Sequence, residues 1–275
     1  MRKAPIIPLK KAFKERREAF CLRASSIFPI YVGKNNDTFI LFLNYWSLKN
    51  KISQKKLLFI IKIRNTDGYL VKNFIYEDLN LHNQISVKKI LEKNKLFNSN
   101  FKGTVEFELI STQNLRFPFP AITVVYKSDN IFSAVHSAGR IKNHDEEQKI
   151  EYSEESNWNI KLSKDITPFF HYFNGPSKPI KKYIEVKALN KNGKLLEKVN
   201  IDVSSINNFG SKTFYIDKLF KSKKIDNSCF FSVLTEHNSI YPRLIIGNFF
   251  KKKNFHQLNH SYPVHKDLDY CKQDS

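Results

Sequence analysis

The chain carries one pattern twice, and a repeat of this length constrains its fold more than any other feature. The stretch Ser26 to Asn44 (SIFPIYVGKNNDTFILFLN) lies on Ser156 to Asn174 (SNWNIKLSKDITPFFHYFN) without a gap. Further on, Phe101 to Ser137 lies on Ile225 to Ser261, and both stretches end in His-Ser. The second overlay holds eight identities in 37 positions, where roughly three would follow from a composition this rich in Lys, Asn, Ile and Phe. A period near 125–130 residues in a chain of 275 predicts two tandem domains, each large enough for its own core, and not a solenoid.

Within each copy the pattern is that of strands. Phe39 to Leu43 is a continuous apolar run of the kind a fully buried strand shows. Leu57 to Ile63 and Tyr69 to Tyr76 flank Asn65-Thr-Asp-Gly68, where Asp-Gly suits the positive φ angles of a tight hairpin. Val87 to Leu91 reads as a strand end or a single helical turn. Val105, Phe107 and Leu109 alternate with polar residues, and Ala121 to Tyr126 and Ile131 to Val135 follow, joined by the polar turn Lys127 to Asn130. The second copy repeats the order. Lys182 to Leu189, the turn Asn190 to Gly193 and Lys194 to Val203 match the hairpin. Phe214 to Phe220 matches the Val87 segment, and Cys229, Phe231 and Val233 stand where Val105, Phe107 and Leu109 stand. Regularly spaced short strands without a long helix predict an all-β chain of two tandem antiparallel β-sandwich domains.

The expected boundaries are a basic arm over 1–25, a first sandwich over 26–142, an acidic linker over 143–156, a second sandwich over 157–265 and a tail over 266–275. In the arm, Leu9, Ala12, Phe13 and Phe20 follow a helical stripe among Lys and Arg residues, so a short N-terminal helix is expected. It reads as an anchor for a membrane surface or nucleic acid, or as a helix packed on its own domain. In the linker, His144 to Glu155 sets six carboxylates against one lysine, the composition of a solvated connection.

A net charge of +20 favours polyanions, but the lysines are scattered, as an AT-rich coding bias would also scatter them. Nucleic-acid binding through the arm would show as an affinity that falls steeply with salt and is lost on deleting residues 1–25. Cys21, Cys229 and Cys271 lie far apart with no finger spacing, which suits a reducing compartment. With no apolar run of about 18 residues and no secretory h-region, a cytoplasmic protein without a transmembrane segment is expected.

Two residue sets could carry function. His136-Ser137 and His260-Ser261 follow the last strand of each copy and read as ligand-binding groups or as ties from the sheet end to neighbouring backbone. Tyr45, Trp46, Phe117 and Tyr241 stand at strand ends and loops, where aromatics serve as platforms for a sugar, a base or a partner, or pack a seam between two sandwiches. The other set belongs to one copy only: His256, His260, His265 and Asp267, with Asp269 beyond, combine donors that suit a metal, and the first copy has Phe132 where His256 stands. Glu106, Glu108, Asp202 and Glu236 alternate as the solvated side of a half-buried sheet does. No nucleophile elbow or glycine-rich phosphate loop occurs, so no catalytic residue and no cofactor is assigned.

Phe170 to Asn174, Tyr183 to Leu189, Asn190 to Gly193 and Ser232 to His237 follow a layout that resembles the sensory rhodopsin transducer-like β-sandwich family. The resemblance implies single domains that assemble into oligomers and act as soluble binding or signalling proteins, two fused copies then replacing a dimer. The expected function is a non-enzymatic binding or assembly module for a glycan, a protein or an anionic surface. The alternatives are a metal-dependent or carbohydrate-active enzyme built on the C-terminal His/Asp set, and nucleic-acid binding through the arm.

Overall fold

The computed structural model of the protein describes residues 23–43, 57–76, 82–97, 99–111, 122–136, 151–157, 162–175, 182–221, 225–237, 244–260 and 262–263. The first half runs β1 (Arg23–Val32), β2 (Asn36–Leu43), β3 (Leu57–Asn65), β4 (Leu70–Tyr76), β5 (His82–Ser86), helix α1 (Val87–Lys93), β6 (Phe101–Ser111), β7 (Ile122–Ser128) and β8 (Ile131–His136). These strands form two antiparallel sheets, ordered β1-β6-β3-β4 and β5-β2-β7-β8. The second half runs β9 (Glu151–Asn157), β10 (Ile166–Phe173), β11 (Tyr183–Leu189), β12 (Leu195–Asp202), β13 (Ser211–Tyr215), β14 (Phe230–His237), β15 (Ile245–Phe250), β16 (Phe255–His260) and β17 (Tyr262–Pro263). Short 3-10 turns follow β13 and β15. Its sheets are β12-β11-β14-β9-β17 and β13-β10-β15-β16. The chain is all-β and antiparallel, as its sequence predicts, and the two halves share one strand order, with β9 in the place of β1 and so on to β16 in the place of β8.

The hairpin turns agree closely. Gly68 (φ 90°) and Gly193 (φ 75°) each donate their backbone N–H to the carbonyl of Asn65 and Asn190, and each of those Asn side chains accepts the N–H that opens the return strand, at 2.9 Å. Positive φ falls here on glycine, which carries no Cβ penalty. The registers agree less well than the ungapped overlay expects. With the two turns superposed, Ile63 corresponds to Ala188; Ile63 pairs with Val105, whereas Ala188 pairs with Phe231. Phe231 thus takes the place of Val105 and not of Phe107. The slip is two residues, so inward-facing positions remain inward.

Three sequence expectations change. β1 begins at Arg23, inside the segment read as a basic arm. The acidic run read as a linker supplies β9, whose backbone pairs with β14 and β17; charge reports how well side chains are solvated, not whether the backbone joins a ladder. Phe39 to Leu43 is not fully buried: Ile40 and Phe42 point inward and Leu43 is exposed. β10 is buried on both faces, with seven of its eight residues inside, and so is β1 from Ser25 to Val32. The N-terminal helical stripe and the tail over 266–275 lie outside the described residues. The Val87 segment is helical and not a strand end: β5 stops at Ser86, and Ser86 caps α1, its Oγ accepting from Lys89 N at 3.0 Å.

The double burial of β10 comes from layering. One face of its sheet, with Phe170, Tyr172, Phe214 and Ile246, packs on Ile184 and Val186 of the second half. The other face, with Phe169, Phe173, Ile245 and Leu258, joins the core of the first half around Phe28, Ile40 and Val124. The halves therefore share one continuous apolar cluster, and burial on that scale is the main force holding them together.

Glu106 and Glu108 also differ from expectation. They are buried on β6, at 2% and 4% exposure, where the alternation suggested solvent. Lys62 Nζ lies 2.9 Å from Glu108 and 3.7 Å from Glu106, with Arg64 Nε 3.5 Å from Glu106. Burial pushes the Glu106 carboxyl above the usual range and Lys62 pulls it back. Replacing Lys62 by Met removes the ammonium nearest both buried carboxylates and should cost about 3 kcal/mol at pH 7. In urea unfolding the deficit should shrink towards pH 4, where one carboxyl takes up a proton; a deficit independent of pH would show that Lys62 acts through packing.

Candidate functional site

The seam between the halves is polar at its centre. Tyr31 of β1 stacks on His256 of β16, ring centroids 3.9 Å apart and planes 6° from parallel. His256 Nε2 lies 3.0 Å from the Tyr215 hydroxyl, and Phe249 and Phe169 close round the imidazole. The Tyr31 hydroxyl lies 3.0 Å from Thr213 Oγ1 and 3.3 Å from His171 Nδ1, and Thr213 Oγ1 is 2.8 Å from the same nitrogen. Beside this cluster, Ser133 Oγ accepts from Leu258 N–H and donates to Leu258 C=O, joining the edges of β8 and β16. The first-half hairpin closes the seam. Ser211 N–H donates to Thr66 C=O at 2.8 Å, Arg64 lies 4.1 Å above the Phe209 ring, and Gly68 is pressed against the backbone of residues 208–210.

Burial sets the protonation of these groups. It lowers both His171 and His256 to a pKa of about 3, with the nearby Lys102 charge adding to the effect at His256. It raises the Tyr31 hydroxyl far above the usual range. The cluster is therefore neutral at physiological pH.

The proton positions follow from counting. Tyr31 and Thr213 carry one hydroxyl proton each. If Tyr31 donates to Thr213 and Thr213 donates to His171 Nδ1, both are used and the ring proton sits on Nε2. Placing it on Nδ1 instead sends a hydroxyl proton out of the trio towards the cleft that Thr213 lines; the pairing that keeps both protons inside assigns His171 as the Nε2–H tautomer.

These groups line a cleft of about 420 Å³ with contributions from both halves: Tyr31, Thr66 and Lys102 from the first, His171, Ser211 and Thr213 from the second. Two of the residues that line it each hold a buried polar atom with no hydrogen-bond partner, His171 Nε2 and Ser211 Oγ. Native proteins rarely leave such atoms unpaired without a reason. β13 ends its sheet, so the alternation that turns the Ser211 N–H outward to Thr66 also leaves the Thr213 N–H and C=O on the open side. Since neither orphan atom has a partner, Ser211 Oγ is not hydrogen-bonded to His171 and is not activated as a nucleophile. A second cleft, of about 520 Å³, lies among the turns carrying Lys34, Asn36 and Lys253; there Asn36 Nδ2 donates to Asn254 C=O across the halves, and Lys252 is already paired with Asp165.

No protein-family model and no curated protein matches the chain. Among solved structures it is similar to a calcium-binding mutant of Bacteroides uniformis beta-glucuronidase 2, at 11% identity and a TM-score of 0.19, over 88% of this chain and 26% of that one. It is likewise similar to the BSP domain of a biofilm-associated protein, at 10% identity and a TM-score of 0.23, over 96% of this chain and 60% of that one. Likeness at this level carries no argument about activity, and the chain spans only about a quarter of the glucuronidase.

Of the residues singled out by sequence, His136 ends β8 with an exposed side chain. His260 sits on β16 opposite Ile245. His256 itself lies in the seam with its Nε2 on Tyr215. Ser137, Ser261, Tyr45, Trp46, Phe117, Tyr241, His265 and Asp267 lie outside the described residues, as does the side chain of His260. Among the described residues no three His, Cys, Asp or Glu side chains gather as a metal site would need, and no helix is long and apolar enough to cross a membrane. Sequence reasoning missed Tyr31, His171, Ser211 and Thr213. One signal was present: His171 interrupts the apolar run of β10 where the overlay sets Leu41.

Proposed function

We propose that the protein is a non-enzymatic binding module in which two sandwich-like halves, related by duplication, hold a small polar ligand in the cleft between them. The observation that carries this reading is the pair of buried, unpartnered atoms, His171 Nε2 and Ser211 Oγ, on residues that line one cleft. A cleft of this size suits a compact molecule, and a few placed polar groups in such a site fix orientation. The shared strand order and matched hairpin turns favour duplication, and a fused pair would do the work of the dimer that the sandwich-family resemblance implies.

A ligand that binds only the folded protein raises its melting temperature. Thermal-shift screening of sugars, organic acids and phosphorylated metabolites should yield compounds that stabilise the wild-type chain and fail to stabilise His171→Phe and Ser211→Ala. Equal stabilisation of all three proteins would place the ligand elsewhere.

A further inference from the structure

We propose that the ligand of this cleft is a compact anion, a carboxylate or phosphate carried on a small hydroxylated molecule, bound through its anionic oxygen to the His171 Nε2–H and facing the Lys102 ammonium. This rests on the reading that the cleft holds a ligand at all.

The first support is the proton count. The Tyr31–Thr213–His171 chain leaves Nε2 as a donor, so the missing partner is an acceptor. Ser211 adds a second spare hydroxyl beside it. The second support is charge. Lys102 pairs with Tyr31 in the β1–β6 ladder and so shares its face, which looks onto the second half, and among the described residues no carboxylate pairs with it. An ammonium and a buried N–H converging on one cleft recognise an anionic oxygen through charge-assisted hydrogen bonds. Lys212 also lines the cleft, its Nζ turned to the Phe214 ring at 5.4 Å.

Two features narrow the class. Asp67 stands exposed in the cleft wall and repels densely charged polyanions, so one anionic group is favoured over a nucleic-acid backbone. Tyr31 is buried and stacked on His256, so its ring does not serve as a platform for a nucleobase. Because the donors come from both halves, the anion bridges them.

The test is calorimetric titration of the full chain with galacturonate and glucose 6-phosphate, each against its neutral counterpart, galactose or glucose. At least one anion should bind, with its neutral counterpart about tenfold weaker or worse. Whether galacturonate or glucose 6-phosphate binds better separates carboxylate from phosphate. Lys102→Met and His171→Phe should each weaken the anion about tenfold or more, whereas His171→Gln, whose amide keeps an N–H near the place of Nε2, should retain most of the affinity. The glutamine variant keeps the comparison sound if the phenylalanine variant fails to fold. If neutral sugars bind as tightly and still lose affinity in His171→Phe, the cleft is a ligand site and the anion proposal is overturned. If nothing binds, or binding ignores His171, both readings fall.

Discussion

Gly68→Ala should destabilise the protein by about 3–5 kcal/mol, whereas Gly193→Ala should cost about 1 kcal/mol. The two glycines hold equivalent places in equivalent hairpins, and both have positive φ, so the intrinsic penalty for a Cβ is the same at each. Their surroundings differ. A Cβ on Gly193 would meet nothing within 4 Å, but one on Gly68 would lie 2.1 Å from Asn208 C=O and 2.7 Å from Gly210 N. Backbone cannot rotate away as a side chain can. Either the hairpin lifts or the 208–210 segment moves, and both take apart the Ser211–Thr66 hydrogen bond and the Arg64–Phe209 contact. Denaturant unfolding of the two variants measures the difference, and ligand stabilisation should disappear only in Gly68→Ala. Equal losses would show that the hairpin does not hold the seam.

Acidification should loosen the same seam. His171 and His256 are held neutral to about pH 3 in the fold and titrate near 6.5 when unfolded. Below 6.5 the unfolded chain binds more protons, so the stability these residues contribute is complete above that value and is lost as pH falls towards 3. At pH 5 the loss is about 2 kcal/mol for each, or about 4 kcal/mol together relative to pH 8. The groups facing them reinforce the sign: Lys102 from β6 is cationic, and Tyr31, Tyr126 and Tyr215 are neutral phenols. Two carboxylates stand in this region, Asp67 exposed in the cleft wall and Asp217, whose charge acts on Tyr215 and which is paired with Lys251. His256→Phe keeps a flat ring against Tyr31, gives up the Tyr215 hydrogen bond at about 1 kcal/mol, and should halve the difference in unfolding free energy between pH 5 and pH 8. An unchanged difference would mean that His256 takes up its proton in the folded state.

The fold was legible because alternation and turn chemistry are local. Asn65 to Gly68 and Asn190 to Gly193 announce their hairpins in four residues each, and the strands around them follow. The slip between Phe107 and Phe231 was not legible, because an ungapped overlay rewards identical letters while register is set by the turns. β9 was hidden by its carboxylates, and the buried Glu106–Glu108 pair was hidden because its partners, Lys62 and Arg64, come from a strand some 42–46 residues away. The site is the least legible part. Tyr31 meets His171 across 140 residues of sequence, and neither belongs to the duplicated His-Ser pairs that drew attention first. A seam between two halves is written in neither half alone. His256, singled out for its difference from Phe132, did mark that seam, as a packed ring on Tyr31.

Nitrogen-15 NMR of the His171 side chain, read with and without the ligand found by titration, bears most directly on the cleft. The imidazole should be the neutral Nε2–H tautomer, should stay so to pH 5, and should show a displaced Nε2–H resonance when the ligand saturates the protein. A ring that carries its proton on Nδ1, titrates near its ordinary value of about 6.5, or keeps an unmoved resonance at saturation would contradict a buried donor waiting for an acceptor.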